Sequence, residues 1–143
     1  MPIPQKKINN LKISIILPNY NSSKYIDATI KSIINQSFKN WELIIIDDCS
    51  DEKTKKILSK YLKNKKIKII WLKKNRGTGY CRNLAIKKSK SKYLAFIDSD
   101  DLWEKNKLKI QLEYMIKNNY SFTYTNYKTI DDNNKIIGNI VAP

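Results

Sequence analysis

Two aspartates, Asp98 and Asp100, follow a short apolar segment and are separated by one serine. The apolar segment, residues 93–97, has the composition of a strand buried on both faces of a sheet. In extended backbone the side chains at i and i+2 point to the same side, so the two carboxylates should lie close together. Such carboxylates repel each other, and a hard cation such as Mg²⁺ or Mn²⁺ relieves the repulsion, with phosphate oxygens completing its coordination. The pattern predicts a metal site at a strand end.

The composition is that of one soluble globular domain. The 143 residues are 41% hydrophobic and 29% charged, which suits a single domain with its own core. No apolar run has the length of a membrane span, and residues 1–11 lack the apolar region of a signal peptide. We therefore expect residues 1–11 to be a loose lead-in and the protein to be cytoplasmic. Two cysteines and no histidine predict neither a disulfide framework nor a zinc site.

The formal net charge of +15 raises the question of nucleic-acid binding. Almost all of the basic residues are lysines, whereas arginine, which groove readers and phosphate-binding sites prefer, occurs only at positions 76 and 82. The lysines are also spread along the chain. We expect no nucleic-acid partner. A basic surface instead favours anionic substrates, and it also favours peripheral association with the anionic inner face of a membrane.

Short apolar segments alternate with amphipathic segments along the chain. This order predicts an α/β domain over residues 1–143, with a mostly parallel, Rossmann-like sheet covered by helices on both faces. The predicted strands are 12–17, 41–46, 67–72, 93–97 and 122–127, the predicted helices include 26–36, 54–62, 81–86 and 108–116, and a turn at 132–134 leads to a returning segment at 136–137.

The first four predicted strands all end in residues that could bind a ligand. The ends are Pro-Asn-Tyr-Asn at 18–21, Asp-Asp at 47–48, Asn-Arg-Gly at 75–77 and Asp-Ser-Asp-Asp at 98–101. In parallel sheets ligands bind outside the carboxyl ends of the strands, where the strand order reverses. Turns and helix caps explain one or two such ends, but not readily all four. The pattern therefore favours a nucleotide site at this edge of the sheet.

The same segments resemble the N-terminal part of family 2 glycosyltransferases, which are inverting enzymes with the GT-A fold. The resemblance extends from about residue 12 to residue 103, and it is specific because the segments occur together and in order. It implies transfer of a sugar from a UDP-sugar donor to a hydroxyl of a carbohydrate or lipid-linked acceptor. The matching segments are 15–21, 36–38, 41–50, 75–77, 82–83 and 96–101.

The resemblance implies a uracil pocket formed by three residues. Pro18 and Tyr20 would line it, with the tyrosine ring stacked on the base. Asp48 would accept a hydrogen bond from uracil N3–H. Cytosine has an acceptor at that position, so a carboxylate there would select uridine nucleotides, since the wrong base would leave a buried charge unpaired.

The resemblance assigns the remaining site residues to the sugar nucleotide and its metal. Gly77 and Ser99 would contribute to the donor site, and Arg82 would lie near the nucleotide or its phosphates, unless it only anchors its helix. Asp98 would lie near the ribose and the metal. Asp100 would be the direct ligand of Mn²⁺ or Mg²⁺ and would connect it to the diphosphate. The metal would neutralise charge that builds on the UDP leaving group.

The sequence departs from the family pattern in its acidic residues after position 101. The family places its catalytic base in an acidic motif well after the paired aspartates, and no residue here is a convincing candidate. The Asp131–Asp132 pair has the pattern of a turn. We therefore expect the catalytic base to lie beyond Pro143, and the chain to be truncated before the acceptor half, so that it binds donor with little or no sugar transfer. Tyr80 is a second departure, because relatives carry a small residue there.

Three other classes of protein remain open at this point. A non-catalytic module that binds nucleotide sugars would share every donor residue. A receiver domain also uses acidic strand ends and Mg²⁺, but it needs an acid pair after the first strand, where this chain has Pro-Asn-Tyr. A polyanion-binding module would rely on the lysines, and its affinity would fall steeply with salt without any requirement for metal.

Overall fold

A computed structural model gives the fold of the chain and describes residue 8, residues 10–138 and residue 140. Four parallel strands form one sheet: β1 (Ile13–Asn19), β2 (Trp41–Asp47), β3 (Ile67–Trp71) and β4 (Tyr93–Phe96). Their order across the sheet is β3-β2-β1-β4. The strand order therefore reverses at β1, because β2 and β3 extend the sheet on one side of it and β4 on the other.

Four helices alternate with the strands: α1 (Ile26–Ile34), α2 (Glu52–Ser59), α3 (Thr78–Lys88) and α4 (Lys107–Asn118). Successive side chains of a strand point to opposite faces, so β1 and β2 contribute to two hydrophobic clusters. The larger cluster joins one sheet face to α1, α2 and α4, and the smaller joins the other face to α3. The predicted parallel sheet with helices on both faces is confirmed. Among the described residues, no helix combines the length and the apolar character needed to cross a membrane.

β4 is less buried than its apolar sequence predicts. Leu94 is 37% exposed and Phe96 is 50% exposed, although β4 was expected to be covered on both faces. Phe96 aligns with Ile16 of β1, whose side chain lies in the smaller cluster under α3. That cluster gathers residues of β1 and β2, so the edge strand β4 is covered on one face only.

The segment after α4 does not form the predicted strand. Residues 122–126 pair with no strand among the described residues, and the side chains of Phe122 and Tyr124 are 77% and 65% exposed. The predicted turn does form: the Asn134 N–H donates to the Asp131 carbonyl at 2.9 Å, and an antiparallel bridge joins Ile130 to Ile136. An alternating sequence favours extended backbone, but a β-strand also needs a neighbouring strand with which to form hydrogen bonds.

The two ends of the chain are only partly within the described residues. Residues 1–7 and 9 of the lead-in lie outside them. Ile8 is buried against the larger cluster, and its carbonyl accepts the Leu11 N–H at 3.0 Å, so the described part of the lead-in packs against the domain immediately before β1. Pro143, beyond which we expect the catalytic base, also lies outside the described residues, and that expectation stays a prediction.

Candidate nucleotide-sugar site

An open cavity of about 500 Å³ lies at the carboxyl ends of β1, β2 and β4, where the strand order reverses. Parallel register brings these ends together: Asn19 of β1 aligns with Asp47 of β2, and the Ile97 N–H extends β4 by donating to the Ile16 carbonyl at 3.2 Å. The cavity is lined by seven of the eight residues that the sequence predicts for the donor site: Pro18, Tyr20, Asp48, Arg82, Asp98, Ser99 and Asp100.

A buried polar network joins the loops that follow β1 and β2. The Asn19 side-chain amide donates to Asp47 Oδ1 at 2.7 Å and to Ser50 Oγ at 3.3 Å. Ser50 Oγ also accepts the Asn21 N–H at 3.0 Å, and the Ser22 hydroxyl donates to Asn19. Asp47 is fully buried in this network. The network fixes the two loops relative to each other and so sets the positions of the residues next to it along the chain.

Asp48 is buried at the end of β2 and is bonded to the loop after β3. Its Oδ1 accepts the Arg76 N–H at 2.7 Å, and its Oδ2 accepts the Gly77 N–H at 2.8 Å. Gly77 has φ of +85°, a conformation that glycine adopts without steric cost. Gly77 itself is not among the residues that line the cavity, and its contribution is this bond to Asp48.

Three residues line the cavity that sequence reasoning did not assign to the site: Asn19, Thr78 and Cys81. Thr78 and Cys81 belong to α3, which begins immediately after Gly77. Burial, followed by the nearby Asp48 carboxylate, raises the pKa of the Cys81 thiol to about 11. Cys81 is therefore a neutral wall residue at physiological pH. The position of Thr78 directly after the glycine loop was the sequence signal that could have identified it.

Tyr20 has the exposure that a stacking residue requires. Its side chain is 53% exposed at the rim, whereas Pro18 beside it in the cavity wall is buried. Tyr80, which departs from the family pattern, is not among the lining residues. Its ring packs under the Arg76 guanidinium, with 4.5 Å between the guanidinium carbon and the ring centroid. Tyr20 therefore lines the cavity with much of its side chain exposed, and Tyr80 is not part of the lining.

The aspartates after β4 form the acidic side of the cavity. Arg82 Nη2 donates to Asp98 Oδ1 at 2.6 Å, and both side chains of this ion pair are partly exposed. The loop is held from α1, where Thr29 Oγ1 donates to the Ser99 carbonyl at 3.0 Å. Desolvation, and then the neighbouring Asp100 and Asp98 carboxylates, raise the pKa of Asp101. Like charges are therefore concentrated in this loop, with one arginine opposing them.

The acidic loop supplies too few ligands to enclose a metal ion by itself. Within the described ranges, no group of three or more histidine, cysteine, aspartate or glutamate side chains is arranged to hold a metal. Asp98 and Asp100 nevertheless both line the cavity and offer hard carboxylate oxygens. Mg²⁺ and similar ions in phosphate-transfer sites use one or two carboxylates and take other ligands from water and substrate phosphates. The residues present fit a metal ion of that kind.

Comparison with known proteins identifies the family. The model of the family described as "Glycosyl transferase family 2" matches residues 14–140. The chain is 42% identical over 132 residues to the Escherichia coli protein WfgD, UDP-Glc:alpha-D-GlcNAc-diphosphoundecaprenol beta-1,3-glucosyltransferase, covering 92% of this chain and 51% of WfgD. TuaG of Bacillus subtilis (strain 168) is 42% identical over 116 residues, which are 80% of this chain and 46% of TuaG. The chain thus spans about half the length of these relatives.

A solved structure gives the same result for the fold. Residues 1–349 of Staphylococcus aureus TarS, in complex with UDP, superpose with a TM-score of 0.69 at 34% identity, covering 75% of this chain and 32% of that one. The sheet with its helices therefore has the Rossmann-like arrangement of the GT-A fold. Since the family model matches most of the chain, including every residue that lines the cavity, this chain belongs to glycosyl transferase family 2.

Proposed function

We propose that this chain is the donor-binding portion of an enzyme that transfers a sugar from a UDP-sugar to an acceptor hydroxyl, with inversion and with the help of a divalent metal ion. One observation carries the proposal: Tyr20, Asp48, Asp98 and Asp100, which come from three strand ends, line a single cavity. The solved TarS complexes with UDP and with UDP-GlcNAc support a uridine nucleotide as the ligand. The name of WfgD supports a UDP-sugar donor in the same way.

The base would bind between Tyr20 and Asp48. The exposed Tyr20 ring offers a flat apolar surface for stacking. Each oxygen of Asp48 already accepts one backbone N–H, and a carboxylate oxygen has a second lone pair that can accept another donor. Uracil presents such a donor at N3. The two backbone bonds also keep Asp48 from rotating, so the acceptor is oriented before the nucleotide arrives.

The diphosphate would bind beside the aspartates that follow β4. Asp98 and Asp100 would hold Mn²⁺ or Mg²⁺ together with phosphate oxygens, and the metal supplies charge neutralisation for the departing UDP. Arg82 lies in the same cavity and adds a fixed positive charge to it. Ser99 lies between the two aspartates, and the bond from Thr29 holds its backbone in place. Gly77 contributes through its backbone N–H, which donates to the Asp48 carboxylate.

The acceptor site and the catalytic base are proposed as parts of the whole protein and are not assigned to residues of the described cavity. The chain spans about half of its relatives, and the described cavity contains no carboxylate beyond those assigned to the nucleobase and the metal. The proposal therefore places the catalytic base beyond Pro143, and we expect residues 1–143 to bind donor and to transfer little or no sugar. The diphosphoundecaprenol in the name of WfgD supports a lipid-linked acceptor.

A lipid-linked acceptor would place the enzyme in the cytoplasm, at the inner face of the membrane. The net charge of +15 supports attraction to anionic lipids. Cosedimentation with vesicles of phosphatidylglycerol and phosphatidylcholine tests this part separately. Binding should require the anionic lipid and should weaken with salt, whereas equal binding to vesicles of phosphatidylcholine alone would contradict it.

Isothermal titration calorimetry tests the donor site. UDP should bind more tightly with Mn²⁺ than without it, and CDP, GDP and ADP should bind at least about tenfold more weakly than UDP. Asp100→Asn should remove most of the effect of Mn²⁺. Asp51→Asn is the matched control, because Asp51 caps α2 by accepting the Thr54 N–H and asparagine caps equally well. Binding of UDP that is indifferent to Mn²⁺ in the unaltered chain would refute the proposed metal site.

A further inference from the structure

Three successive residues of the loop after β3 contact Asp48, whose side chain is buried. The Asn75 side-chain amide lies 3.5 Å from the Asp48 carbonyl oxygen, and the N–H groups of Arg76 and Gly77 donate to the carboxylate at 2.7 and 2.8 Å. Both carboxylate oxygens therefore take their orientation from the backbone of this loop. The position of Asp48 in the cavity wall is only as well defined as the conformation of residues 75–77.

The loop enters α3 through the segment Gly77-Thr78-Gly79, whose backbone has unusual freedom. Glycine has more conformations available to it than other residues, so ordering it costs more entropy. A β-carbon at Gly77 or Gly79 would have no described atom within 4 Å, apart from adjacent residues and the backbone of its own helix. As the N-cap of α3, Gly77 also has no side chain to accept a hydrogen bond from the first turn. The segment therefore has conformational freedom that a contact across it would restrict.

The side chains of Arg76 and Tyr80 make a contact across this segment. They flank it in sequence, and the guanidinium carbon of Arg76 lies 4.5 Å from the centroid of the Tyr80 ring. This distance is within the range of a cation–π interaction, which is attractive even where both groups are exposed to water, as they are here. Tyr80 belongs to the first turn of α3, so the contact anchors the end of the loop to the helix. Because Arg76 also donates its N–H to Asp48, the restraint reaches the carboxylate through one residue.

We propose that Tyr80 is a positioning residue for the base pocket: its contact with Arg76 holds the loop in the conformation that orients Asp48, and so raises the affinity for uridine nucleotides. The inference rests on the proposed function, which assigns the hydrogen bond from uracil N3–H to Asp48. An acceptor that is ordered before the ligand arrives spares the complex the entropy of ordering it. Tyr80 is not among the residues that line the cavity, so its effect on the ligand is exerted through Arg76 and Asp48.

Amide hydrogen exchange tests the restraint in the chain without ligand. Tyr80→Ala removes the ring, and α3 should persist because alanine favours helix. Exchange of the Arg76 and Gly77 amides, measured by NMR, should become about two- to fivefold faster, which is the factor that an exposed cation–π contact supports. The Ser50 amide, which donates to Asp47 Oδ2 in the loop after β2, should exchange at an unchanged rate.

Calorimetric titration in the presence of Mn²⁺ tests the consequence for binding. Tyr80→Ala should bind UDP about two- to fivefold more weakly than the unaltered chain. Tyr80→Phe keeps the ring and should restore the affinity of the unaltered chain. Tyr114→Ala is the matched control, because it removes a similarly exposed tyrosine ring from an aromatic pair on α4, outside the cavity lining, and it should leave UDP binding unchanged.

Arg76→Met tests whether the two residues act together. It removes the guanidinium but keeps the backbone N–H, so it should weaken UDP binding as much as Tyr80→Ala does, and the double variant should bind no more weakly than either single variant. Additive losses in the double variant, or unchanged exchange of the Gly77 amide in Tyr80→Ala while the unaltered chain binds UDP, would overturn the positioning role alone. Absence of any UDP binding by the unaltered chain would overturn the proposed function, and with it the link from Tyr80 to the nucleotide.

Discussion

The Asp48 carboxylate accepts the backbone N–H of Gly77 at 2.8 Å and that of Arg76 at 2.7 Å. One buried side chain thus ties the end of β2 to the loop that precedes α3. The residue proposed to select the base is consequently also the residue that shapes the neighbouring loop. Base selection and loop structure should therefore change together when Asp48 is altered.

Asp48→Asn should weaken UDP binding and reduce the preference for UDP over CDP. The asparagine amide donates where the carboxylate accepted, so one of the two backbone N–H groups loses its partner at a cost of roughly 1–3 kcal/mol in folding free energy. Where the amide nitrogen faces the base, it cannot accept uracil N3–H but can donate to cytosine N3. Calorimetric titration with UDP and CDP measures the ratio of affinities, and urea unfolding measures the stability.

The matched control for Asp48→Asn is again Asp51→Asn, which should leave both the affinity ratio and the stability near those of the unaltered chain. An unchanged ratio of UDP to CDP affinity in Asp48→Asn, together with the loss of stability, would show that Asp48 shapes the loop without reading the base.

Arg82→Met should affect ligand binding far more than stability. The ion pair with Asp98 is 41% and 52% exposed, and such surface pairs contribute about 0–1 kcal/mol. Removal of the guanidinium from the cavity should weaken binding of UDP with Mn²⁺ by about tenfold, since a charge-assisted hydrogen bond is worth about 1.5–3 kcal/mol. Calorimetry measures the affinity and urea unfolding the stability.

Lys12→Met provides the comparison for Arg82, because it breaks another partly exposed ion pair, that of Lys12 with Glu42, on a residue outside the cavity. It should have a similarly small effect on stability and none on UDP. If Arg82→Met bound UDP as tightly as Lys12→Met does, Arg82 would serve only to pair with Asp98.

The arrangement of the donor cavity was largely predictable because it follows from parallel pairing. Four apolar runs separated by amphipathic segments require crossovers, and crossovers place all carboxyl ends at one edge. The aligned pair Asn19 and Asp47 shows this register. Tyr20 and Asp48 directly follow these two aligned ends. They therefore lie at the same edge of the sheet and line one cavity.

The sequence could not show which hydrogen-bond donors and acceptors of different loops pair with each other. The bonds from Arg76 and Gly77 to Asp48 join residues 28 and 29 positions apart, and no local pattern records them. The same limit applies to β4: a run of apolar residues is compatible with a central or an edge strand, and only the strand order shows that Phe96 is uncovered. The contacts of Lys24 and Tyr25 with Asp132 likewise join segments more than a hundred residues apart, and the sequence pattern does not contain them.

Gln36→Leu should destabilise the fold strongly. Gln36 is fully buried, and its amide donates to the Glu104 carbonyl at 2.8 Å while its Oε1 accepts the Leu108 N–H at 3.1 Å. Leucine leaves a carbonyl and a first-turn helix N–H without these partners, and each costs roughly 1–3 kcal/mol when buried. Urea unfolding should show a loss of about 2 kcal/mol or more.

Asn118→Leu is the comparison for Gln36, since it removes a side-chain amide from an exposed position of α4, where water can replace the lost bond to the Tyr114 carbonyl. It should cost about 1 kcal/mol or less. Equal losses in the two variants would contradict a stabilising role for the bonds from buried Gln36 to Glu104 and Leu108.

Lys107 should make the stability of the chain rise with pH above neutrality. Desolvation lowers its pKa from 10.5 to about 8, and its ammonium lies 4.4 Å from the centroid of the Trp103 ring. The unfolded chain therefore binds the proton more tightly than the folded chain does. The resulting penalty is fully present below pH 8 and is relieved as pH rises towards 10.5.

Lys107→Met should remove that penalty and gain on the order of 2 kcal/mol at pH 7, less what is lost with the bond to Gln111. The difference in unfolding free energy between the variant and the unaltered chain should shrink between pH 8 and pH 10.5, because the lysine of the folded chain has by then lost its charge penalty. Lys105→Met, at an exposed position nearby, should show no such trend. A constant difference for Lys107→Met across this range would mean that its ammonium is as well solvated in the folded chain as in the unfolded one.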